Sequence, residues 1–209
     1  MNGQLIIDSL PKLLNGVWVT IELTVLSVVL GLIVAIPLAL ARTSKNNFIN
    51  WPVSGFITYF RGTPLLVQLF LVYYGSGQFR DVLTDWGLWP YFRNAWFCAI
   101  LTLTLNTAAY SAEIFRSAIQ SVPRGEIEAG KAFGMSKLLL FRRVIMPKAF
   151  RIALPAYGNE VVFLLQATSL VSAITVIDLT GAADLIRSKT FAVYEMYLTA
   201  ALLYLIMTY

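Results

Sequence analysis

The chain has 209 residues, 58% hydrophobic and only 13% charged, with a mean hydropathy of +0.71. Soluble domains carry roughly 25% charged residues, so the composition excludes a soluble globular enzyme and describes an all-α polytopic membrane protein. A single cysteine, Cys98, excludes a disulfide framework, and the absence of histidine argues against the usual zinc or haem ligand sets; the net charge of +5 reflects basic residues sorted by side of the membrane, not a nucleic-acid face.

Five spans are expected, at about residues 17–41, 52–75, 95–115, 152–177 and 191–209. The first apolar run, Val17–Ala41, holds one charge, Glu22, and is too long for the core of a cleaved signal, so it stays as a span. A polar turn from Arg42 to Asn47 follows. Phe48–Phe60 is amphipathic, with Trp51 and Tyr59 suited to an interface. Leu65–Tyr74 is too short to span alone. The second span therefore recruits part of Pro52–Phe60, with Pro64 as a bend that neighbouring helices must satisfy and Arg61 expected to stabilise it. Gly75–Arg93 reads as a loop with interfacial Trp86, Trp89, Tyr91 and Phe92. Ala95–Phe115 is the third span, with Glu113 placed to pair with Arg116 one turn on.

Arg116–Arg151 holds eight of the sixteen basic residues and only two carboxylates, Glu126 and Glu128. Pro123, Pro147 and Pro155 cut it into short pieces. It cannot cross a bilayer and reads as a cytoplasmic docking platform, with its loop at about 121–148. Ile152–Ile177 is the fourth span, and Asp178–Lys189 a polar loop. Phe191–Tyr209 begins a fifth span that contains Glu195 and has no basic tail, so the natural C-terminus is expected to be missing. Placing Arg42–Asn50 and Arg116–Arg151 inside puts ten basic residues in the cytoplasm against five outside. The positive-inside rule then sets the N-terminus outside.

The platform reads Glu128-Ala129-Gly130, three residues, Gly134, nine residues, then Val144-Ile145-Met146-Pro147. This resembles the EAA loop of ABC importer permeases, E-A-A-x3-G-x9-I-x-L-P, with small or apolar exchanges at intact spacing. Arg61–Gln68, Ala109–Arg116, Leu154–Glu160 and Thr168-Ser169-Leu170 are similar to the polar amino-acid uptake branch, and within it to permeases for histidine, arginine, ornithine and opines. The resemblance implies a type I importer permease fold in a bacterial inner membrane. It implies as partners a second permease subunit, homologous or identical, two ATPase subunits carrying ATP and magnesium, and an extracytoplasmic amino-acid-binding protein. No cofactor is expected in this chain. Glu126, Glu128, Ala129, Gly130, Gly134, Met135, Arg142 and Arg143 would form the coupling contact.

Substrate contact is expected from carboxylates and polar groups inside the spans, where an ionisable residue usually faces a cavity or a partner. Glu160 can offset a basic ligand's cation and Asn159 can hydrogen-bond it. Gln166, Thr168 and Ser169 could meet the α-carboxylate, although Ser and Thr also bond their own helix backbone. Asp178 could attract a cation or cap the next helix, and Glu22 could line the path. The rival reading is an ion-coupled secondary carrier using Glu22, Glu113 or Glu160. A membrane-embedded enzyme is disfavoured, for no nucleophile–base pair or metal set is present.

Overall fold

The computed structural model of the chain describes residues 3–44 and 46–209. Lys45, counted above among the basic residues of the first turn, lies outside the described residues, as do Met1 and Asn2. The described residues form eleven α-helices joined by short turns: α1 (Gly3–Arg42), α2 (Asn47–Gly62), α3 (Leu65–Tyr73), α4 (Arg80–Asp85), α5 (Trp89–Phe92), α6 (Ala95–Gln120), α7 (Arg124–Ala132), α8 (Lys137–Leu140), α9 (Met146–Ala167), α10 (Leu179–Thr190) and α11 (Val193–Thr208). By length and composition α1 and α6 can each cross a membrane. Asn47–Gly62 with Leu65–Asp85 forms a pair bent by 106°, and Lys137–Ile174 with Leu179–Thr190 a pair bent by 47°; α11 is a shorter apolar helix.

The centre of the molecule is the contact between α1 and α6. The buried face of α1 runs Thr20, Leu23, Thr24, Ser27, Gly31, Ala35, Ala39, steps of three or four residues that keep one stripe on one side. Most of these side chains are small, and they meet Thr104, Thr107, Ala108 and Ala112 of α6. In hydrocarbon, where lipid tails compete for apolar contact, small residues let backbones approach and recover packing. At Gly31 a β-carbon would overlap the Thr107 methyl. The opposite face of α1 exposes Trp18, Val25, Val29 and Ile33, so it fits lipid or a neighbouring subunit.

Three apolar clusters stack along α1. One gathers Ala35 and Ala39 with Ile57, Ala112, Phe115, Ala149 and Ala153. The next holds Leu23, Leu69, Cys98, Leu103, Leu164 and Ile174. The third joins Leu13 to Leu179, Ala183, Met196 and Ala200. Residue numbers rise together on α1 and α6 and fall on α9. Helices α1 and α6 therefore run parallel and α9 runs against them.

The structure departs from the expected elements in several places. Helix α1 begins at Gly3, fourteen residues before Val17, and at 1.5 Å per residue it is about 60 Å long, far more than a bilayer core of about 30 Å. Its first four turns pack on α10, and at Gly16 a β-carbon would lie 2.8 Å from the Leu179 Cα. The stretch read as a loop, Gly75–Arg93, contains a 3₁₀ turn, α4 and α5. Pro155 does not interrupt α9, and Pro147 sits in its first turn, where a missing N–H costs little. A π-helical turn, Phe141–Ile145, joins α8 to α9, and residues Thr168–Ile174 of the fourth stretch tighten into a 3₁₀ helix.

The bend in the second apolar pair is held by amides. Gln68 is buried, and its Nε2 lies within donor distance of the Phe60 carbonyl (2.9 Å), the Thr63 carbonyl (3.0 Å) and the Thr63 hydroxyl (2.8 Å). Asn106 of α6 donates through Nδ2 to Gln68 Oε1 (3.0 Å) and to the Phe60 carbonyl (3.3 Å). The carbonyls that Pro64 cannot engage are thereby satisfied. Arg61, expected to stabilise the bend, takes part in it through its backbone: Tyr110 Oη donates to its carbonyl at 3.4 Å. Replacing Gln68 by Leu strands these groups, so a Gln68→Leu protein should lose about 1–3 kcal/mol of stability, read as a lowered Tm in detergent. An unchanged Tm would remove Gln68 from the lock.

Candidate functional site

The hairpin α7–α8 is built on two glycines. Helix α7 ends as its C-cap carbonyls are taken by Phe133 N–H (to Ala129), Gly134 N–H (to Lys131, 2.9 Å) and Met135 N–H (to Gly130, 3.1 Å). This closing pattern needs a left-handed residue, and Gly134 supplies it at φ +74°. Ser136 then caps α8, accepting from Leu139 N–H. Gly130 is the tightly packed one: a β-carbon there would overlap the end of the Leu140 side chain, with Met135 and Val144 at ordinary contact distance. The hairpin is anchored to α9 by an ion pair between Glu126 and Lys148.

Of the residues expected on this surface, Glu128, Ala129, Arg142 and Arg143 are exposed, Glu126 and Met135 are half-buried, and Gly130 is buried under Leu140. Phe133 was not among them, yet it is 85% exposed, with Leu138 beside it at 76%. An aromatic at a hairpin tip with no core to enter was the available signal. The surface is thus basic at its edges, apolar at its tip, and open.

The polar residues of the spans separate into distinct places. On α9, Glu160 is half-buried and its Oε1 accepts from Thr107 Oγ1 of α6 at 3.0 Å. Arg151, the nearest basic residue before it on α9, is exposed and two and a half turns away. Asn159 beside it is exposed. Gln166 and Ser169 lie on another face of α9 and the 3₁₀ segment, in a cavity of about 600 Å³ shared with Val162, Thr180, Tyr197 and Tyr204. Thr168 is fully buried, and its hydroxyl donates to the Leu165 carbonyl.

Asp178 is 0% exposed. Its Oδ1 accepts from Gly181 N–H at 2.9 Å, capping α10, and its Oδ2 accepts from Tyr204 Oη at 2.9 Å. Thr20 Oγ1 accepts from Leu179 N–H beside it. The carboxylate thus ties α10, α11 and the α1 contact together, and nothing about it opens to a cavity. Glu22 is exposed on α1, on the side away from buried Thr20 and Thr24.

Glu113 pairs with Arg116, as their spacing suggested. Arg61 stacks over the Tyr110 ring, 5.3 Å from its centroid. Arg61 and Glu113 line two adjoining cavities, of about 340 and 320 Å³. Sequence reasoning missed Thr107 and Asn106, polar residues in an apolar run whose only clue was the need of Glu160 and Pro64 for partners. Among the described residues no group of three or more His, Cys, Asp or Glu comes together.

Residues 27–209 match the family described as binding-protein-dependent transport system inner membrane component. The nopaline transport system permease protein NocM of Agrobacterium fabrum is 52% identical over 209 residues, covering 100% of this chain and 87% of its own. The octopine transport system permease protein OccM of Rhizobium radiobacter is 45% identical, covering 94% and 80%. The histidine/lysine/arginine/ornithine transport system permease protein HisM of Escherichia coli K12 is 46% identical, covering 93% and 82%. Among solved structures, a crystal structure of an amino acid ABC transporter with histidines superposes with a TM-score of 0.88 at 36% identity, covering 100% of this chain and 92% of that one. The inward-facing MetNI methionine transporter, at 22% identity and a TM-score of 0.75, shares the fold.

A bulky residue at the packed glycine should open the hairpin. Gly130→Val is expected to raise proteolysis between Ala132 and Lys137 several-fold while α1–α6 packing stays intact; unchanged cleavage would show that the contact with Leu140 is dispensable.

Proposed function

The chain belongs to the inner-membrane components of binding-protein-dependent transport systems, and from that premise we propose that it is the permease subunit of an ATP-driven importer of basic amino acids or opines. It forms the translocation path with a second permease subunit. Two ATPase subunits that bind ATP and magnesium grip the α7–α8 hairpin from the cytoplasm, and an extracytoplasmic binding protein delivers ligand at the opposite end. The N-terminus lies outside, and five membrane crossings are made by α1, the α2–α3 pair, α6, α9 and α11.

The observation that carries the reading is Glu160. It is a carboxylate in the apolar zone that accepts from the Thr107 hydroxyl and, among the described residues, forms no ion pair, with Arg61 only an electrostatic neighbour. A charge at that depth is costly unless offset, and a ligand cation would offset it. The names of the relatives, which transport nopaline, octopine, histidine, lysine, arginine or ornithine, support the same class. Gln166 and Ser169 lie on another face of the fourth stretch, Thr168 and Asp178 spend their polar atoms on the fold, and Glu22 points outward, so Glu160 and Asn159 are the contacts proposed here.

Transport by such a subunit rests on two packings of one set of helices whose relative stability the ATPases shift. The exposed Phe133 and Leu138 supply apolar contact, and Arg142 and Arg143 set its register.

Glu160→Gln should weaken uptake of arginine at least about tenfold more than uptake of a neutral amino acid. Equal losses would make Glu160 a structural residue. Gly134→Pro forces a φ near −65° where +74° is required. The variant should insert and assemble yet fail to stimulate partner ATP hydrolysis; normal stimulation would overturn the coupling role. Uptake driven by membrane potential without ATP hydrolysis would favour the secondary carrier instead.

A further inference from the structure

Arg61 is fixed by its backbone, and its side chain takes no part in closing the elbow. The carbonyl of its predecessor, Phe60, accepts from Gln68 and Asn106, and its own carbonyl accepts from Tyr110. The elbow is therefore closed without the guanidinium. That group instead lies over the Tyr110 ring, 5.3 Å from its centroid, and lines two cavities with Glu113. Side chains of a helix lean toward its N-terminus, which aims Arg61 from the elbow toward Glu113.

Charge counting gives the cavity its sign. Glu113 is paired with Arg116 and Arg42 lines the second cavity, so cations outnumber the carboxylate there, and Arg61 forms no ion pair among the described residues. Arg61 is also an electrostatic neighbour of Glu160. The 340 Å³ cavity extends from Arg61, Tyr110 and Ser117 to Ile152, Ala153 and Ala156 of α9. Ala156 is four residues from Glu160, one helical turn of about 5.4 Å. A site cation and a site anion are thus offset by one turn along α9. A volume near the lower end of ligand pockets suits a small solute.

We propose that Arg61 is the anchor for the ligand's α-carboxylate, received in the cavity between α2, α6 and α9 on the hairpin side of Glu160. The anchor rests on the amino-acid permease reading above and deepens it. A guanidinium presents two parallel N–H donors to a carboxylate, a geometry that ammonium lacks. The cation–π contact with Tyr110 holds the guanidinium at the wall of the cavity that both residues line. A basic amino acid then meets two residues of opposite sign, on different helices, and its side-chain cation and carboxylate are read separately. The hydroxyls of Thr168 and Ser169, which sequence alone suggested for the carboxylate, lie elsewhere.

The test compares arginine with argininamide, which keeps the cation and replaces the carboxylate by a neutral amide. Equilibrium binding is measured on the assembled complex of this chain with its permease partner and ATPases in nanodiscs. Arg61→Gln should lower arginine affinity about tenfold or more and change argininamide affinity less than about twofold. Arg61→Lys should recover part of the difference, since charge returns without the fork. Equal losses for both ligands, or none for either, would overturn the anchor while leaving the permease reading intact. A wild-type complex that binds neither compound, nor any amino acid or opine, would overturn both.

Discussion

A backbone carbonyl inside a bilayer has no water to turn to, and the second apolar pair of this chain has a proline where those carbonyls must be released. The fold answers with two side-chain amides. Gln68 comes from the helix beyond the bend and Asn106 from α6, and together they fill the donors' places at Phe60 and Thr63. An unsatisfied polar group in hydrocarbon costs several kcal/mol, so the 106° turn exists only because those amides stand at that level. Everything on α2 takes its position from them, including the depth of Arg61 and the cavities beneath it. The α1–α6 contact is the complement. It brings the α1 and α6 backbones close, because Gly31 leaves room for the Thr107 methyl, while the hydroxyl of the same threonine meets Glu160 of α9.

Polar residues in the spans therefore divide by what their atoms are already doing. Asp178, Thr168, Gln68 and Asn106 are consumed by backbone and cap. Glu160 and Arg61 are not, and they carry opposite signs on helices that face one another. The hairpin is the third open feature, presenting an aromatic tip and arginine edges with Glu126 already engaged by Lys148. Glu160 and the hairpin's anchor Lys148 both belong to α9.

Much of this was legible. The long basic stretch, the spacing around Gly134 and the Glu113–Arg116 pair all follow from local chemistry, since a turn glycine and an i,i+3 ion pair need no knowledge of the rest of the fold. The helical class followed from hydropathy. What was not legible depends on three-dimensional company. Hydropathy marks Val17 as the start of α1, but the amphipathic turns before it are helical because α10 lies against them. Pro155 looked like a break, yet a proline inside a helix is tolerated where packing retains the rod. Gln166 and Glu160 share one apolar run, and six residues of helix turn them through about 240° relative to each other, so Gln166 lines a cavity with Tyr204 while Glu160 meets Thr107 of α6. Asp178 could be read as cap or lure, and only the placement of Tyr204 decides what its second oxygen does.

The wide turn at Phe141–Ile145 leaves the chain helical without a gap from Lys137 to Ala167. A crank and its shaft are thus one piece. Whatever twists the hairpin about that shaft swings the Glu160 carboxylate through an arc, with no slack joint between to absorb the stroke. The π-turn carries one residue more than an ordinary turn, and expelling or admitting that residue would index the shaft by about 100°. Any rotation imposed on the arginine-flanked tip is therefore carried along one continuous helix to the level of Glu160.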